Sequence, residues 1–492
     1  MGSRQLRDSD RGCPTRPYAV GMPAHPAGPR HSDVIDIHGA PPRPLDTAEL
    51  NHLDAAVWPT SARREPGGVV SVGGVDVVTA VREAGSPVVL LDQDQVRSAA
   101  RGYARSYDAT GTPTRVYYAG KAFLSTAVAR WITDEGVDID VCTGGELEVA
   151  LRAGVTPDRI LFHGNNKSEA ELIRALEVGV GRYVIDSCLE IARLGALAQD
   201  AGVVADCLVR VTVGVEAHTH EFIATAHEDQ KFGLALTDGS AREAARRVAA
   251  LPSLNLVGLH SHIGSQIFDP AGFEVAARRL VGFAAELAAE GLSIRELNLG
   301  GGMGIAYTSA DDPLDVADMA AAIVSIVRHE CDRADLPLPL LCVEPGRAII
   351  GQAGITVYTV GTIKAIDLGN GLTRTFVSVD GGMSDNIRTA LYDAEYTVAL
   401  ANRESDAEPM LCRVVGKHCE SGDIVVRDCW LPADLAPGDL LAVAATGAYC
   451  RSMASNYNQV PRPGVMGVQD GHLETVLRRE TIDDLLSLDP GA

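Results

Sequence analysis

Lys121 stands in Tyr118-Ala119-Gly120-Lys121-Ala122-Phe123, just past an apolar run. A lysine at the end of an apolar strand points into a partly desolvated mouth. Desolvation lowers an amine's pKa and makes it a nucleophile able to form a Schiff base. The bland alternative is a surface lysine that snorkels to water. Glu344, in Glu344-Pro345-Gly346-Arg347, can pair as a carboxylate with a protonated pyridine nitrogen and keep such a ring an electron sink. A local Glu344–Arg347 salt bridge is the competing reading. Gly300, Gly301 and Gly302 follow another apolar run, where bare backbone amides can hold a phosphate. A plain turn would also use glycine, but three in a row favour close backbone approach.

Other candidates need partners. His163 stands just past a short apolar run. His260 and His262 alternate along an extended segment and share a face, as a metal-ligand pair would or as one ring stacking on a cofactor would. No third and fourth ligand follow at metal spacing, so no metal is expected. A second His-x-His, His218 and His220, opens what reads as a substrate-facing insertion. Cys419, in Gly416-Lys417-His418-Cys419-Glu420-Ser421-Gly422-Asp423, has a thiol that at its ordinary pKa of about 8.5 is protonated and can act as an acid. Free cysteines are more often small buried hydrophobes, yet charged neighbours flank this one. Arg388, near Tyr392, can grip a carboxylate through a bidentate fork. Tyr449 can donate to a phosphate.

Eight short apolar runs position these groups: 116–119, 137–141, 160–162, 183–185, 207–211, 254–259, 295–299 and 340–343. Ala-rich amphipathic stretches separate them. The pattern predicts an α/β fold, a (β/α)8 TIM barrel whose strand ends carry the site. Past residue 353 the texture turns β-rich, with runs at 356–360, 376–379 and 440–444, and helical periodicity returns only at 480–488. A mostly β C-terminal domain, barrel or sandwich, is expected. The domain reading is a disordered Pro-rich tail over 1–45, a segment over 46–85 that packs with the β-domain through its strand-like 69–78 stretch, the barrel over 86–352, and the β-domain over 353–492. The tail has no apolar core of a secretory signal.

Composition narrows the function. The chain has 492 residues and a formal net charge of −22. Nucleic acid would be repelled on average, so it is not an expected partner. No apolar run approaches the ~20 residues of a membrane span. Ten cysteines without a Cys-x-x-Cys pair suggest reduced thiols and a cytoplasmic location.

Taken in order, YAGKAF, CTGGEL, HGNNK, THEFIATAHEDQKFG, HSHIGSQI, LGGGMG, EPGRAI, SDNIRTALY, CESGD and ATGAY make the chain from about residue 50 onward resemble diaminopimelate decarboxylase. That family is a fold-type III, alanine-racemase-like group of pyridoxal 5'-phosphate enzymes. The resemblance implies decarboxylation of meso-2,6-diaminopimelate at its D-centre to L-lysine and CO2, the last step of lysine biosynthesis. It implies that Lys121 anchors the cofactor, His262 stacks on its ring, and Glu344 contacts the ring nitrogen. His163, Gly300, Gly301, Gly302, Gly346, Arg347 and Tyr449 would complete the cofactor site. Arg347, Arg388, Tyr392, Glu420 and Tyr449 would bind substrate. Cys419 would return the proton. Cys419 and Glu420 would come from the other subunit of a homodimer. Two positions depart from the family pattern: Thr389 stands where many relatives have proline, and Asp393 stands where many have glycine, adding charge near the substrate's end.

Rival readings remain. An ornithine, arginine or carboxylated-polyamine decarboxylase would have a cationic distal group, for which two arginines make little sense. A racemase of this fold would carry arginine at the ring nitrogen. A metal-dependent barrel hydrolase would use His260 and His262. A regulatory homologue would have lost Lys121 or Cys419.

Overall fold

The computed structural model describes residues 45–214, 231–369 and 372–491. The 1–44 part of the expected tail, and the His218/His220 stretch, lie outside these residues. Three short strands, β1 (Arg63–Arg64), β2 (Val70–Val72) and β3 (Val75–Asp76), form a small antiparallel sheet. The strand-like stretch ends there, because Asp76 caps the helix Val77–Ala84 by accepting from the Thr79 amide. The sheet leans on the C-terminal half of the chain, with the Val70 amide donating to the Ala401 carbonyl at 2.8 Å.

β4 (Val88–Asp92) differs from expectation. It falls within the 86–352 span read as barrel, yet it pairs with β14 (Gly354–Gly369) and β20 (Gly464–Gln469) in the sheet of the β-domain. All five of its residues are buried. A strand buried on both faces has no alternation to reveal which sheet it joins.

The barrel strands are β5 (Thr114–Ala119), β6 (Asp138–Val141), β7 (Ile160–Phe162), β8 (Arg182–Ile185), β9 (Ala205–Thr212), β11 (Leu254–His260), β12 (Glu296–Asn298) and β13 (Leu340–Val343). They pair in parallel in that order, and β13 closes on β5. β10 (Leu234–Ala235) adds a short parallel edge to β9. Helices between strands start and stop on local signals. Before Glu169–Val178, Ser168 and Glu171 form a capping box, and Gly179 ends the helix at φ 79°.

The barrel interior is solid. Tyr117, Leu161, Val184, Leu208, Val257 and Cys342 form one buried cluster. Beneath it Arg182 binds Glu296 (2.6 Å) and Asp206 (2.9 Å). Alternate residues of a strand share a face. Two positions past Leu161, Leu208 and Cys342 come His163, Arg210 and Glu344, and these three line one cavity. Packing below thus fixes chemistry above.

The second sheet holds β18 (Ile424–Pro432), β17 (Pro409–Val415), β15 (Leu372–Val379), β14, β4, β20 and β21 (His472–Leu477) in that order. β19 (Leu440–Val443) pairs with β14 and with β16 (Val398–Leu400). A final helix, Ile482–Leu486, lies within the expected 480–488 stretch. No helix among the described residues is long and apolar enough to cross a membrane.

Candidate active site

Two cavities open at the C-terminal ends of the barrel strands and meet at Lys121, His262 and Glu344. The outer one, about 680 Å³, runs between barrel and β-domain and is also lined by Gly301, Gly302, Gly346, Arg347, Arg388, Tyr392 and Tyr449. The inner one, about 330 Å³, reaches His163, His260, Asp140 and Arg210.

Glu344 is the best-held group. Its Oε1 accepts from His163 Nε2 and Asn298 Nδ2, both at 2.8 Å, and its Oε2 lies 3.3 Å from His260 Nε2. The local salt-bridge reading fails, because Arg347 instead donates to Tyr307 and to Ser265 Oγ (2.9 Å). Burial pushes the Glu344 carboxyl up, but the two histidines outweigh it and hold it well below the usual carboxylate range. His260 is itself driven down to about 4 by burial, against the pull of Glu344. The anion therefore rests on donated hydrogen bonds. A fixed anion facing the inner cavity suits a partner that is protonated when bound.

Ligand atoms of His163, His260 and Glu344 lie within 4.8 Å of one another. The histidine pair read from the sequence is not this cluster, since His262 belongs to the cavity wall beside Lys121. Burial, then Lys121 and Arg210, holds His262 well below its ordinary pKa, leaving a neutral ring.

Lys121 corrects one expectation. Its side chain is exposed to the cavity. Burial pulls its ammonium pKa down, but Tyr449, Asp140 and Glu344 outweigh it and the pKa is raised. Three acidic groups around one amine stabilise its charge more than desolvation costs it. Burial pushes Asp140 up to about 7, with Glu344 adding to it and His163 opposing.

The glycine turn divides its duties. The Gly300 amide donates to Asn298 Oδ1 at 2.8 Å, and Gly300 does not line the outer cavity. Gly301 and Gly302 do, and their amides have no acceptor among the described residues. A β-carbon on Gly301 would fall 2.1 Å from the Glu344 carbonyl oxygen, and one on Gly302 2.4 Å from that of Gly264. Neither can carry a side chain at this turn.

Asn298 and Tyr307 were missed in the sequence. A buried asparagine inside an apolar strand, just before glycines, is the signal for the first.

Arg388 opens the helix Arg388–Tyr392 of the β-domain. Thr389, one of the two departures, is buried and donates to the Val425 carbonyl at 2.9 Å, a tie proline could not make. Asp393, the other, sits at φ 53°, a left-handed position where aspartate is among the tolerated residues. Its carboxylate lies 3.0 Å from Arg427, and it does not line the outer cavity.

Asp385 precedes that helix and bonds Tyr358 and the Gly382 amide (2.8 Å). Burial lifts it from 3.8 to about 7, against those hydrogen bonds. The folded chain thus keeps a proton there that the unfolded chain releases, so stability falls as pH rises from about 4 to about 7 and is flat above. Melting curves of parent and Asp385→Asn at about pH 5 and about pH 8 check this. The parent's advantage should shrink by about 3 kcal/mol between these two pH values, about two pH units below the folded pKa at about 1.4 kcal/mol each. A constant difference would contradict the assignment.

Cys419 and Glu420 are not part of the cavity of their own chain. Cys419 is exposed on the loop between β17 and β18. That loop is held firmly, with His418 bonded to Ser384 (2.8 Å) and to Asn458 (3.1 Å). All nine cysteines among the described residues are unpaired.

Residues 93–351 match the family model "Pyridoxal-dependent decarboxylase, pyridoxal binding domain". Diaminopimelate decarboxylase of Mycobacterium tuberculosis is 55% identical over 446 residues, 90% of this chain and 99% of the relative. That of Bacillus subtilis is 43% identical over 430 residues, 87% and 97%. The structure of diaminopimelate decarboxylase from M. jannaschii in co-complex with L-lysine superposes with a TM-score of 0.81 at 31% identity, covering 87% of this chain and 97% of that one.

Proposed function

The chain belongs to the diaminopimelate decarboxylases, and from that premise we propose that it removes CO2 from the D-centre of meso-2,6-diaminopimelate to give L-lysine, using pyridoxal 5'-phosphate held by Lys121. The observation that carries the substrate is the presence of Arg347 and Arg388 in the same cavity as Lys121. Neither has a salt bridge to a carboxylate among the described residues. Two unneutralised guanidiniums favour a substrate with an anionic far end and repel a cationic one.

The residues present fit the cofactor. An amine, a fixed carboxylate, a neutral imidazole and two free amides surround one space. Lys121 would hold the cofactor's aldehyde carbon, Glu344 its ring nitrogen, His262 its face, and Gly301, Gly302 and Tyr449 its phosphate. When bound, pyridoxal phosphate supplies an electron sink for the pair left behind when CO2 departs. His163, His260 and Asn298 keep Glu344 ionised, which favours the protonated ring nitrogen. Arg347 and Arg388 orient the long diacid by its distal carboxylate, so that the D-centre faces Lys121. Tyr392 and Glu420 would read the distal amine. Cys419 of a second copy would return a proton at carbon, with Glu420 beside it, which makes the working unit a homodimer. A cytoplasmic location suits the unpaired thiols.

Cofactor-loaded protein given meso-diaminopimelate, L-ornithine or L-arginine tests the reading. We expect kcat/KM for the first to exceed the others by at least about a thousandfold, as buried charge recognition allows. A preference for ornithine or arginine would overturn it.

A further inference from the structure

Tyr307 lies on the loop after β12, buried at the seam between barrel and β-domain. Its backbone is fixed on both sides. Its amide donates to Asp311 Oδ2 at 2.9 Å, and its carbonyl accepts from Thr397 Oγ1 of the β-domain at 2.8 Å. The side chain meets both arginines of the outer cavity. Its hydroxyl accepts from Arg347 Nη1. Its ring carries the Arg388 guanidinium, whose carbon lies 4.6 Å from the centroid. Tyr396 completes the seat: its ring stands edge-on to Tyr307 at 5.3 Å, and its hydroxyl accepts from Arg388 Nη1 at 2.6 Å.

We infer that Tyr307 is a positioning residue for recognition of the distal carboxylate, one side chain that sets the two arginines contributed by different domains. This rests on the function proposed above. Burying two cations is unfavourable unless something compensates. Acidic partners would compensate but would also neutralise the charge that the substrate needs. A phenol and two aromatic faces hold guanidiniums through a hydrogen bond and cation–π attraction while leaving their charge unspent. Arg347 Nε is buried without a partner among the described residues, a donor left for a ligand. The competing reading, that Tyr307 is core packing alone, leaves unexplained why its side chain's contacts to charge are to the two arginines of the outer cavity.

The test uses the holoenzyme and two ligands that differ only by the distal carboxylate, L-lysine and 1,5-diaminopentane, titrated calorimetrically into parent, Tyr307→Phe and Tyr307→Leu. We expect Tyr307→Leu to weaken L-lysine at least about tenfold and to leave 1,5-diaminopentane within about twofold. Tyr307→Phe keeps the ring and should lose about threefold for L-lysine alone. KM for meso-diaminopimelate should rise more than kcat falls, with the cofactor's absorbance unchanged. Equal loss for both ligands, or no loss for either, would overturn the inference, and the Phe variant decides if the Leu variant does not fold. A parent that turns over meso-diaminopimelate and prefers L-lysine, beside variants that match it, sinks the inference alone. A parent with no preference sinks the functional reading and the inference with it.

Discussion

Replacing Lys121 with alanine is expected to lower decarboxylation at least about a thousandfold, the scale seen when a covalent catalytic group is removed. Among the described residues, Lys121 is the one lysine lining either cavity. Lys167, the buried lysine nearby in sequence, is committed to Glu190 at 2.6 Å and to two carbonyls. The raised pKa of Lys121 adds a further expectation. Its ammonium is stabilised by Tyr449, Asp140 and Glu344 after burial has been offset, so the free amine must shed a proton before it can attack. Cofactor loading of apoprotein should therefore quicken as pH rises. Absorbance of the loaded protein, with steady-state CO2 release, measures both. The alanine variant should lose the cofactor band; retained turnover would show that Lys121 is not the anchor.

Cys419→Ala is expected to cost about 10²- to 10⁴-fold in kcat, the range for losing a positioned proton donor. Its thiol is exposed and lies outside the cavity of its own chain, so it serves a site only if that site belongs to another copy. The cavity mouth is fringed by Tyr392, 61% exposed, next to Leu391, 49% exposed, apolar surface a partner would cover. Mixing the inactive Lys121→Ala and Cys419→Ala proteins under exchange should thus restore about one quarter of parental activity. Half of the dimers would then be mixed, each with one intact site of two. No recovery would place thiol and lysine in one protomer or remove Cys419 from the reaction.

The barrel strands were readable because parallel strands covered on both faces are continuous apolar runs. The same property hid the true partner of β4, whose five buried residues look like any barrel strand. β21 was not readable for the opposite reason: its residues are mostly exposed or half-buried and include His472 and Glu474. At the site, Lys121, Glu344, Arg347 and Arg388 announced themselves as charges next to apolar runs or in tight clusters. Asn298 and Tyr307 did not, because their importance lies in what they touch across the fold. The charge state of Lys121 depended on Asp140 and Tyr449, which only the closed barrel and the packed β-domain bring beside it.

A cavity that decarboxylates one end of a long diacid while holding the other must release a single, defined carboxylate. Cofactor-loaded protein should therefore be given meso-diaminopimelate labelled with carbon-13 only in the carboxylate of the D-centre. All label should leave as CO2, and the product should be unlabelled L-lysine. Label retained in lysine, or lysine of the D configuration, would contradict this.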